Sequence, residues 1–148
     1  MEKNLLFVYG TLMRNHAKVK QLVGQVNLKF LCSGKIEGVL FDIGEYPGAI
    51  EDKGKFVHGE VYEISDCYVI FNKLDKYEEF NSDNPKKSLF VRKKIKVLLD
   101  EGKNAIATVY LYNGNTEDLK VIPDGKWRNQ AHHLKKRAKH NMRNHLKS

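Results

Sequence analysis

The sequence predicts an α+β domain, on three observations. Segments rich in aromatic and β-branched residues recur through the first 112 positions. Helical periodicity is confined to a few stretches, and no βαβ repeat is present that would build a doubly wound parallel sheet. At 148 residues the chain suits one domain with a sizeable core.

The elements follow in order. Leu5-Leu6-Phe7-Val8 reads as a short buried strand that breaks into Tyr9-Gly10-Thr11-Leu12. The apolar part is too short to span a bilayer or to serve as a signal h-region. Val19, Leu22 and Val23 have roughly helical spacing within 16–23, and Gly24 is a fitting stop. Lys35 to Phe41 reads as a strand, and Ile43 to Gly48 is turn chemistry. Phe56 to Ile64 is a further strand, in which Gly59 marks a bulge or a close approach of another backbone. Ser65-Asp66 supplies a capping hydroxyl and a first-turn acid for a helix reaching about Tyr77. The polar run Asn81 to Pro85 is a loop. Leu89 to Leu99 and Ala105 to Tyr112 alternate as strands around Asp100-Glu101-Gly102-Lys103, a hairpin turn, so they are expected to pair antiparallel. In the tail, Trp127, Ala131, Leu134, Ala138, Met142 and Leu146 recur every three or four positions, as in an amphipathic helix.

Charge divides the chain into a body, 1–125, and a basic extension, 126–148. The formal net charge is +8, yet no acidic residue follows Asp124. Lys126, Arg128, Lys135, Lys136, Arg137, Lys139, Arg143 and Lys147 carry the whole excess, which leaves 18 basic and 18 acidic residues in the body. A body of that balance is not a nucleic-acid surface by charge. Cys32 and Cys67 have neither a CxxC nor a metal-ligand spacing, so they read as reduced cytosolic thiols and point to a cytoplasmic protein. His16 and His58 lack partners at ligand spacing, and His132, His133, His140 and His145 do not share one face of the tail, so no metal site is expected. Arg92, Lys93, Lys94 and Lys96 read as a basic strand edge that guards against pairing with another chain, rather than as a phosphate site.

Two features carry candidate chemistry. Read alone, Tyr9-Gly10-Thr11-Leu12 is a plain turn. It is also a strand end at which glycine admits a ligand to the main chain and backbone N–H groups can meet a carbonyl or carboxylate. The second feature lies after Ser65. Cys67, Phe71 and Leu74 form an apolar stripe, and the next position on it is Glu78. Either the helix has ended there and Glu78 faces water beside Glu79, or an acid stands at the inward end of an apolar stripe. Partial burial would then raise its pKa toward a value useful for proton transfer.

The order of short motifs adds a family resemblance. Tyr9-Gly10-Thr11-Leu12, Tyr46-Pro47-Gly48 and Gly59-Glu60-Val61-Tyr62-Glu63 are followed by Leu74-Asp75-x-x-Glu78 and Val91-Arg92. Val109-Tyr110-Leu111-Tyr112 and Ile122-Pro123-Asp124-Gly125-x-Trp127 complete the set. Across about residues 5–128 this order resembles the gamma-glutamylcyclotransferase-like family, nearest its gamma-glutamylamine cyclotransferase branch. The resemblance implies a compact mixed β-barrel with flanking helices and a cavity at one end. It implies release of 5-oxoproline from gamma-glutamyl compounds by intramolecular attack, without metal or organic cofactor. Glu78 then matches the acid/base, Tyr9, Gly10, Thr11 and Leu12 the substrate-binding loop, and Tyr110 a tyrosine lining the pocket. Two departures stand out: Glu79 occupies a position where many relatives have glycine, and Phe90-Val91-Arg92 replaces a common Tyr-x-Arg.

Two functions follow. The first is a cytosolic enzyme acting on a gamma-glutamyl amine or peptide. The alternative is a small-molecule-binding module whose basic tail recruits an acidic partner, RNA or an anionic membrane. For the tail, docking of its apolar stripe on the body is the preferred reading.

Overall fold

A computed structural model describes residues 4–10, 28–44, 46–65, 71, 74–75 and 88–127. Six strands account for most of them: β1 (Leu5–Val8), β2 (Leu28–Asp42), β3 (Pro47–Ile64), β4 (Phe90–Leu99), β5 (Asn104–Tyr112) and β6 (Lys120–Ile122). They hydrogen-bond in the order β3-β1-β5-β4-β2-β6, and β3 also pairs with β2. That last pairing closes the first five into a mixed β-barrel, with β6 added along the far end of β2. All pairs are antiparallel except β1 with β5, where Leu6 faces Thr108.

Alternation assigns the side chains to two cores. Phe7, Ile36, Leu40, Val57, Val61, Val97 and Val109 point inward and, with Tyr9 and Trp127, fill the barrel. Leu6, Val8, Tyr62, Ile64 and Tyr110 point outward and form a second cluster with Leu74 and Phe90. A strand apolar on both faces must be covered on both, and Leu74, only 1% exposed, is part of that cover. Phe71, Leu74 and Asp75 are helical, and the rest of the helix expected after Ser65 lies outside the described residues. No complete helix lies among the described residues, and the segment 16–23 and the tail beyond Trp127 fall outside them.

The β4–β5 hairpin pairs from Phe90↔Tyr112 to Leu98↔Asn104. Its turn is closed by Leu99 N–H to Lys103 O at 2.8 Å and Gly102 N–H to Leu99 O at 2.9 Å. Strands β2 and β3 are longer than the sequence patterns indicated. Register shifts at Phe30/Cys32 and Glu37/Gly38 interrupt the alternation, and residues 52–55 bulge out of β3 between the Gly38↔Glu51 and Glu37↔Phe56 pairs. The expected turn contracts to Ile43–Tyr46, where Ile43 N–H donates to Tyr46 O at 3.1 Å. Pro47 opens β3 instead, a position where a missing N–H is tolerated. The close approach expected at Gly59 is present, because a Cβ there would run into the Val8 carbonyl oxygen and the Phe7 ring.

Candidate active site

The site is built outward from the end of β1. Tyr9 is buried at 7% exposure, its ring in the barrel interior 6.4 Å from Phe7. Its hydroxyl donates to the Tyr110 carbonyl oxygen at 2.5 Å and accepts the Ala49 N–H at 3.2 Å. One side chain thus ties the strand end to β5 and β3. Gly10 follows, also buried, with its backbone against Pro47. A Cβ on Gly10 would lie 2.5 Å from Pro47 Cγ and 2.8 Å from Cδ, closer than real Cβ atoms come. The Tyr-Gly and Tyr-Pro-Gly motifs, far apart in sequence, are therefore one packed unit. Tyr46 extends it, its ring 5.8 Å from Phe90, which lies 5.8 Å from Tyr112.

Tyr110 belongs to this unit through its main chain and to another through its side chain. Its ring packs in the outer cluster and is 3% exposed. Its hydroxyl donates to Asp75 Oδ1 at 2.5 Å. Asp75 Oδ2 also meets Arg92 Nη1 at 3.3 Å, and the Arg92 guanidinium lies over the Phe71 ring, 4.4 Å from its centroid. Strands β4 and β5 thereby hold the helical residues Phe71 and Asp75, which sit one turn apart. On the next strand pair Tyr62 donates to Glu60 Oε1 at 3.0 Å, and Glu60 lies across from Val8, two residues before Gly10.

Of the residues singled out in the sequence, Tyr9, Gly10 and Tyr110 are joined here, while Thr11, Leu12 and Glu78 lie outside the described residues. Arg92 departs from the strand-edge reading. Its side chain is only 30% exposed and is spent on Asp75 and Phe71, whereas Lys93 pairs with Glu51. Asp75 had no role assigned from the sequence. Its signal was faint: an acid four residues after Phe71, within the same Leu-Asp-x-x-Glu motif that holds Glu78. His58 lies on β3 away from this unit, next to Lys35 of β2. Among the described residues, no group of three or more His, Cys, Asp and Glu side chains is placed to hold a metal ion.

Residues 6–129 match the family described as gamma-glutamyl cyclotransferase, AIG2-like. The chain belongs to that family. Its cyclotransferase-type barrel recurs in solved structures. An AIG2-like protein of Mus musculus is 25% identical with a TM-score of 0.64, matching 87% of this chain and 97% of its own. YkqA of Bacillus subtilis is also 25% identical with a TM-score of 0.64, over 85% of this chain but 40% of its own. A Vibrio cholerae protein provisionally named a gamma-glutamylcyclotransferase is 41% identical over 69 residues, 43% of this chain and 54% of that protein. The matched stretch thus spans about half of that curated relative's length. No helix among the described residues is long and apolar enough to cross a membrane.

Proposed function

We propose that the protein is a gamma-glutamyl cyclotransferase that converts a gamma-glutamyl amine or peptide into 5-oxoproline and the free amine. The observation that carries this reading, in a chain of this family, is a shared anchor. The Tyr9-Gly10 strand end and the Asp75 segment, which leads to Glu78 three residues on, are both bonded to Tyr110.

The chemistry requires few groups. The substrate's α-amine is an ammonium at neutral pH and cannot attack until it loses a proton. Glu78, as carboxylate, pairs with the ammonium and accepts that proton. The freed amine attacks the γ-carbonyl carbon of the same molecule, forming the C–N bond of a five-membered lactam. Negative charge develops on the carbonyl oxygen, where N–H groups of the Gly10–Leu12 loop act as donors, each worth about 3 kcal/mol in such sites. As the tetrahedral species collapses, the bond to the leaving amine breaks and Glu78 returns the proton to it, while the attacking nitrogen gives up its second proton to water and becomes the neutral lactam N–H. No nucleophilic Ser or Cys takes part. The site must also hold the substrate folded, an orientation effect worth several kcal/mol. The anchoring of the strand end supports that need, because the Tyr9 hydroxyl and the Pro47 ring hold Tyr9 and Gly10 in place.

The test is release of 5-oxoproline from a panel of gamma-glutamyl amines and dipeptides by the wild type and by Glu78→Gln. The wild type should turn over at least one member, and the substitution should lower kcat by about 10²–10⁴-fold. Equal rates would remove Glu78 from the mechanism. An absence of product across the whole panel would overturn the enzyme reading in favour of a binding module.

A further inference from the structure

We propose that Tyr110 is a positioning residue for turnover, which ties the Tyr9-Gly10 strand end to the Asp75 segment by bonding to each with a different part of itself. This rests on the cyclotransferase reading above. The carbonyl oxygen of Tyr110 holds the Tyr9 hydroxyl at 2.5 Å, and its own hydroxyl holds Asp75 at 2.5 Å. Between these two bonds lie only the covalent bonds of one residue, on a strand paired along its whole length with β4. The link is short and stiff.

Arg92 completes the arrangement. A single contact fixes where a helical segment sits but leaves it free to roll about its axis. Here two contacts fall on one face: Asp75 is held by Tyr110 and Arg92, and Phe71, four residues earlier, lies under the same guanidinium. Both Phe71 and Asp75 are thereby held against β4 and β5. Glu78 follows Asp75 by three residues in the sequence. Misplacing a catalytic group by about 1 Å can cost 10²-fold in rate. Tyr110 and Asp75 therefore act on turnover through Glu78, without touching substrate.

Tyr110→Phe is the decisive variant. It deletes one oxygen, keeps the ring in the outer cluster and keeps the carbonyl that holds Tyr9. Asp75→Asn and the double substitution accompany it, with Glu78→Gln as control and rates corrected for the folded fraction measured by circular dichroism. Each single substitution is expected to lower kcat about ten- to a hundredfold with KM within about threefold, and the double to be no worse than the more damaging single. A raised KM with unchanged kcat would make Tyr110 a substrate contact and overturn the proposal. So would an unchanged kcat in Tyr110→Phe, or strictly additive losses in the double. If Glu78→Gln is inactive while Tyr110→Phe matches the wild type, the positioning role fails and the enzyme reading stands. A wild type without turnover overturns both.

Discussion

At the scale of single residues, the Tyr9 hydroxyl carries the largest structural role relative to its size. It bonds to β5 through Tyr110 and to β3 through Ala49, inside a buried setting where water offers no replacement. Tyr9→Phe removes both bonds while keeping the ring, and should cost about 1–3 kcal/mol. In urea the midpoint should fall with the slope unchanged, and an unmoved midpoint would show that the bonds contribute nothing net. The Tyr9-Gly10 end was legible because the glycine interrupts an apolar run, and Pro47 explains why only glycine fits. Asp75 and Arg92 were not legible. Spacing along a helix indicates which side chains share a face, but not which strand packs on it. Arg92, in a run with Lys93, Lys94 and Lys96, reads as one more solvated charge until its distant partner is known.

At the scale of elements, the strand pairs decide which charges meet. The β2–β3 ladder sets His58 beside Lys35, and His58 N–H donates to the Gly125 carbonyl at 2.8 Å, bringing Lys126 near. Burial, then Lys126, then Lys35 push the His58 pKa below its ordinary 6.5, with Asp100 acting in the opposite direction. The unfolded chain therefore takes up a proton at this residue before the folded one does. The resulting penalty on folding is absent well above pH 6.5 and grows as pH falls through that value toward the lowered folded-state pKa. His58→Gln should lose less stability than the wild type between about pH 8 and about pH 5.5, read from urea midpoints. Parallel losses in the two proteins would rule out His58 as the cause. The β4–β5 hairpin was readable because its turn is local and its strands alternate cleanly. The full lengths of β2 and β3 were not, because bulges near Cys32 and Gly38 break the alternation. The parallel β1–β5 pair leaves no local trace at all, since its partners lie about a hundred residues apart.

At the scale of the whole molecule, the excess charge is gathered at one end of the sequence. Trp127, 5% exposed, is the last described residue and sits in the barrel interior. Seven of the eight excess positive charges follow it, from Arg128 to Lys147. A chain ending at Trp127 should leave a cation exchanger at much lower salt than the full chain. Elution at unchanged salt would place the basicity in the body. Barrel closure also has a consequence for how the protein is made. Of the six strands β1 comes earliest in the chain, yet it needs β3 on one side and β5 on the other. The hydroxyl that fixes its end must wait for a carbonyl 101 residues later in the chain. An N-terminal fragment therefore carries the Tyr-Gly segment without the anchor that shapes it. The anchor of the proposed site arrives only with β5.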